Sequence, residues 1–102
     1  MSDDEVLVGS VMEDAWLTIE QIAAVCEVEP EWLAQHLQEG LFRGTESAAG
    51  IWRFSGASLR RARRMRQLER DFDAVPELAA LVADMLEEMD ELKARLRRAG
   101  LR

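Results

Sequence analysis

The sequence holds one cysteine, one histidine, one lysine and no tyrosine, and each scarcity removes a class of chemistry. A lone Cys26 cannot make an intramolecular disulfide, and no CxxC or Cys/His pairing offers the ligand spacing of a zinc site. No Gly-rich loop is present to cradle a phosphate. His36 falls on the same helical stripe as Trp32, which gives it a structural place rather than a catalytic one. The acidic doublets Glu87-Glu88 and Asp90-Glu91 look like paired carboxylates, but adjacent helical residues point about 100° apart. Neither doublet converges on one substrate atom. No catalytic residue, metal site or cofactor is therefore expected, and the chain reads as a non-enzyme. No apolar run approaches the ~20 residues of a membrane span. Ser2-Asp3-Asp4-Glu5 carries the wrong charge for a signal peptide, so the expectation is a cytoplasmic protein that does not dock on membranes.

What is abundant is negative charge, and it is unevenly placed. The net charge is -7, from 20 acidic and 13 basic residues. That sum argues against a general nucleic-acid binder, whose affinity comes largely from Lys and Arg on phosphates. Residues 1–50 carry eleven acids and a single Arg43, residues 51–70 carry seven arginines and only Glu69, and residues 71–102 return to eight acids and five bases. A partner meets the local potential, not the sum. With 48% apolar residues and three tryptophans, the chain also has the material for a core.

Residues 1–15 form an acidic tail that includes Val6-Leu7-Val8, a candidate edge strand. Thr18 and Gln21 have the capping-box spacing, and Ile19, Ile22, Ala23 and Cys26 follow the helical period, with Cys26 a small core residue. Pro30 suits the first position of a second helix. Trp32, Leu33, His36 and Leu37 mark its buried stripe, and Gly40 its left-handed end. Two short helices joined by a few residues make a helix-turn-helix pattern.

Residues 43–50 read as a wing tip and Ile51-Trp52-Arg53-Phe54 as a wing strand able to pair with residues 5–11. Ser55 caps a helix reaching Phe72, with Ala62, Met65, Leu68 and Phe72 on its apolar face. Arg60, Arg63, Arg64, Arg66 and Arg70 form a basic stripe opposite, and Arg61 intrudes on the apolar side. The stripe is either a solvated face, balanced in part by the acidic first half, or a docking stripe for an acidic partner. Asp73 is placed to cap a last helix starting at Pro76. There Leu78, Val82, Met85, Met89, Leu92 and Leu96 alternate by four and three residues, a heptad seam continued by Ala99. Leu81, Val82, Met85 and Leu86 are expected to pack on the body, while Met89 to Ala99 needs a partner helix. A homodimer is the simplest solution, with Glu91-Arg95 a supporting i,i+4 pair.

The fold class expected is mainly α, a winged helix-turn-helix with short wing strands and a C-terminal dimerisation coiled-coil helix. The divisions are a tail or edge strand over 1–15, the winged domain over 16–74 and the dimerisation helix over 75–102. Over residues 16–99 the layout resembles the MerR-type family, in which the last helix dimerises and most members regulate transcription. DNA-binding members show Arg-Tyr-Tyr or Arg-x-Tyr where this chain has Ala34, Gln35 and His36, and Trp52 replaces a wing arginine. Without those guanidinium groups, specific DNA binding through the second helix is not expected.

A closer resemblance is to CbpM, the chaperone-modulator group of degenerate MerR-like proteins. It rests on Glu31-Trp32-Leu33, Glu39-Gly40-Leu41, Trp52-Arg53-Phe54-Ser55, Arg60-Arg61, Leu68-Glu69-Arg70-Asp71 and Met85-Leu86-Glu87-Glu88. The Val75-Pro76 junction departs from the gentler one of that group. The resemblance implies binding to the J-domain of a DnaJ-like co-chaperone of the CbpA type, which keeps it from stimulating DnaK. J-domains present a basic helix, so Glu29, Glu31, Gln35 and Glu39, with Glu46 nearby, are candidate partner-binding residues. Asp84, Glu87, Glu88 and Glu91 of the last helix are the alternative surface. The alternative function is that of a MerR-type transcriptional regulator, with the Arg60–Arg70 helix meeting backbone phosphates.

Overall fold

A computed structural model describes residues 16–100. Helix α1 spans Ile19–Cys26 and α2 spans Pro30–Gln38. The start of α1 is fixed locally: Gln21 N donates to Thr18 Oγ1 at 3.1 Å, and Thr18 N donates to Gln21 Oε1 at 2.9 Å. Both orphan donors are satisfied reciprocally, as the capping-box spacing predicts. The helix stops at Glu27, whose backbone is left-handed (φ 57°), and Val28 N then donates to Ala23 O at 3.0 Å. That bond closes the end and turns the chain into α2, which begins with Pro30 at a position needing no N–H donor. Gly40 (φ 77°) ends the second helix in the conformation glycine adopts without steric cost. Leu41 N donates to His36 O at 3.0 Å, and Phe42 enters the core fully buried.

The wing is a two-stranded antiparallel ribbon, β1 (Thr45–Glu46) and β2 (Trp52–Arg53), in register Thr45 to Arg53 and Glu46 to Trp52. The expected tip thus itself contains a strand. Phe54 forms an antiparallel bridge with Leu17, each donating to the other's carbonyl at 2.8 Å. The expected pairing with residues 5–11 lies outside the described residues. Gly44 is required by space: a Cβ there would come within 2.6 Å of Phe54 Cδ1 and 3.1 Å of Arg53 O.

Ser55 Oγ accepts from Ser58 N at 3.2 Å and caps α3, Gly56–Phe72. Asp73 ends this helix in a left-handed conformation (φ 53°) rather than capping the next one. Helix α4, Pro76–Arg98, has Val75 at its N-cap with no side-chain cap. Proline at the first position makes the missing donor harmless there.

Two buried clusters make up the core. The larger gathers Leu17, Ile22, Leu33, Phe42, Phe54 and Leu59 with smaller neighbours, including Cys26 and Ala62. The smaller joins Met65 of α3 to Ala79, Ala80 and Ala83 of α4, and Trp32 packs against both clusters. This corrects two expectations. Phe72 is 74% exposed, although Met65 and Ala62 on its helical face are buried. Leu81 and Met85, at 55% and 56% exposure, do not pack on the body; the alanines do. Small residues allow close helix approach, so α4 lies on α3 by its alanine edge and turns Leu81 and Met85 outward, while Val82 and Leu86 are half-buried.

Candidate functional site

The surface of α2 that would face a partner is set by what its opposite face must bury. Leu33 and His36 go inward, which leaves Glu31, Ala34, Gln35 and Gln38 outward, with Glu39 at the end and Glu29 at the N-cap. Gln35 Nε2 donates to Glu39 Oε1 at 3.5 Å. All four candidate residues, Glu29, Glu31, Gln35 and Glu39, are thus exposed on one helix. The N-terminus of α2 would by itself attract an anion. Here the carboxylates of Glu29 and Glu31 stand at that end, where they stabilise the helix and repel a phosphate.

This face is held to the body by a buried polar clamp. His36 Nε2 lies 2.8 Å from Glu69 Oε2, and Trp32 Nε1 donates to Glu69 Oε1 at 3.3 Å. His36 Nδ1 lies 2.7 Å from the Trp32 carbonyl oxygen, and the two rings stack with centroids 3.8 Å apart. Both ring nitrogens face acceptors, so the ring donates on both sides when it carries both protons. His36 is buried, as its stripe implied. The sequence marks Glu69 as the single acid in a run of arginines, next to the apolar Leu68, but assigns it no role.

The basic stripe does not survive as one unit. Arg64 Nη2 donates to Asp90 Oδ2 at 2.6 Å, which holds the Asp90 carboxyl below its ordinary range. Arg61 is tucked between helices, where Nη1 meets Asp84 Oδ1 at 2.7 Å and Glu87 Oε2 at 3.0 Å, and Nε donates to Leu41 O at 2.9 Å. Burial opposes the Arg61 charge, but bonds to Glu87 and Asp84 outweigh it and raise its pKa. Among the described residues, Arg61 and Arg64 of α3 are thus ion-paired by acids of α4. Asp84 and Glu87, two of the alternative partner-facing acids, are engaged within the chain. Arg60, Arg63 and Arg70 are exposed and Arg66 half-exposed. Glu91 and Arg95 pair at 3.5 Å as their spacing implied.

Along α4, Leu78, Met85, Met89, Leu92 and Leu96 are 41–56% exposed, and Val82 is half-buried. Among the described residues no helix is long and apolar enough to cross a membrane.

Two short helices across a turn, a two-stranded wing and two longer helices define a winged helix-turn-helix protein. The family profile described as MerR HTH family regulatory protein matches residues 17–99, and the chain belongs to that family. No curated protein and no solved structure matches it. Membership gives the chain a regulatory fold; the choice of partner rests on its surfaces.

Proposed function

We propose that this chain regulates by binding a protein, as a chaperone modulator that occupies the J-domain of a DnaJ-like co-chaperone of the CbpA type and blocks its stimulation of DnaK. One observation carries the reading: α2, the helix that reads DNA in this architecture, exposes Glu29, Glu31 and Glu39 and no cation. Phosphate contacts need Arg, Lys or neutral donors at such positions, whereas a basic J-domain helix is drawn to carboxylates and associates faster for it. The protein acts as a homodimer through the exposed seam of α4, and it works by occupancy, not catalysis.

A second reading, a DNA-binding transcriptional regulator, is favoured by the family and by exposed Arg43 just before the wing and Arg53 within it. The two are separated by calorimetry with a J-domain and a low-salt gel shift with random duplex. The first reading expects J-domain binding that Glu31→Lys with Glu39→Lys abolishes, and no shifted duplex. Unchanged J-domain affinity in that variant removes the acidic face from the reading. Duplex binding without J-domain binding gives the second reading its place.

A further inference from the structure

The arginines of α3 divide into two that pair with acids of α4 and others that do not, Arg60 among them feeling the Asp90 charge without an ion pair. Arg61 and Arg64 are paired with Asp84, Glu87 and Asp90. Arg70 meets only its exposed neighbour Asp71, at 3.3 Å. Arg60, Arg63 and Arg66 make no hydrogen bond or ion pair among the described residues. At a helical rise of ~1.5 Å per residue, Arg60 to Arg70 extends over ~15 Å. Beside it, between the end of α1 and α3, runs an open groove of about 330 Å³ lined by Val25, Cys26 and Glu27 together with these arginines and the Asp90-paired Arg64.

From this geometry we infer that the Arg60–Arg63–Arg66–Arg70 face of α3 is a second docking surface, one that takes an extended acidic peptide segment. It is distinct from the acidic face of α2 and opposite in sign. The length of the face suits an extended chain. Arginines three or four residues apart on α3 are ~4.5–6 Å apart along the axis. Alternate side chains of an extended strand recur on one side every ~6.6 Å. Three carboxylates at alternate positions span ~13 Å, within the ~15 Å of the arginine face, so the long side chains can reach each of them and bind it in bidentate fashion.

Glu27 decides between a peptide and nucleic acid. A peptide can set a neutral residue against that carboxylate, whereas a phosphate backbone carries a charge at every step and cannot skip one. A duplex also extends well past the groove, over a chain in which acids outnumber bases 20 to 13. A short peptide feels mainly the charges within a Debye length of ~8 Å at physiological salt.

The test is fluorescence anisotropy at physiological salt with a labelled peptide of alternating Glu and Ser, beside an equally labelled random duplex. The full chain binds the peptide more tightly than the duplex. Arg63→Ala with Arg66→Ala weakens peptide binding about tenfold or more, the equivalent of one charge-assisted hydrogen bond. Arg63→Lys with Arg66→Lys keeps part of the affinity because charge without the planar fork remains. Both positions are at the surface, and circular dichroism verifies that the variants stay folded. Absence of peptide binding, affinity indifferent to the alanine pair, or tighter binding of duplex each overturns the assignment. J-domain binding measured in the same variants reads the α2 face independently, so failure of one surface is not mistaken for failure of the other.

Discussion

Replacing Glu69 with alanine should be among the most damaging single changes away from the apolar core. The substitution strips the acceptors from Trp32 Nε1 and His36 Nε2 at once. The His36 side chain is 4% exposed and that of Glu69 16%, so water reaches the vacated site poorly. A buried donor left without a partner costs ~1–3 kcal/mol. One donor here is half-buried and one fully buried, which gives a loss of about 2–4 kcal/mol. Against a total of ~5–15 kcal/mol for a typical domain, the shift is readily measured by urea denaturation at fixed protomer concentration. Glu69→Gln, which keeps volume and one carbonyl acceptor, should lose about half as much. A double-mutant cycle with His36→Ala should give a coupling of ~1 kcal/mol or more, since the two act as one unit. A loss below ~0.5 kcal/mol in Glu69→Ala, typical of an ordinary surface change, would refute the clamp. Additive losses in the cycle would do the same.

Three further outcomes follow from the packing. Met89→Glu with Leu92→Glu should turn a dimer into a monomer with α4 still helical; wild-type protein that sediments as a monomer in the tens of micromolar would remove the seam argument. Gly44→Ala drives a methyl into the Phe54 ring and should destabilise the wing by ~1–3 kcal/mol, read by thermal melting; an unchanged midpoint contradicts the contact. The Asp90 carboxyl is held below its ordinary value by its bond to Arg64. Its contribution is therefore present at neutral pH and lost as pH falls through the depressed value. Carboxyl NMR should place its titration below the usual ~3.9 of an aspartate, and Arg64→Ala should move it upward; a normal midpoint in the wild type excludes the pair.

What could be read from the sequence was whatever depends on a few neighbouring residues. The Thr18–Gln21 capping box, Pro30 at the first turn, the left-handed Gly40 and the Ser55 cap are settled within three or four positions, and each forms where its spacing places it. The outward placement of Glu29, Glu31 and Glu39 followed from the Leu33–His36 stripe for the same reason. Choices made between distant elements were not legible. Asp73 could cap either neighbouring helix, and only the turn geometry assigns it to α3. Arg64 belongs by periodicity to the basic stripe, yet Asp90, twenty-six positions later, takes it out.

Helix α4 shows why side-chain size misled where period did not. Its large residues recur as a core stripe would, and that pattern suggested that Leu81 and Met85 should cover the body. Contact with α3 is instead made by Ala79, Ala80 and Ala83, since short side chains let two helices approach within the ~8–10 Å of close packing. The body is thus satisfied by the small edge, and none of the exposed apolar area on Leu78, Met85, Met89, Leu92 and Leu96 is used in holding the chain together. A contiguous apolar stripe of that length is costly to leave wet. In the proposed dimer the stripe meets a second helix, for which its alternation by three and four residues is the right geometry.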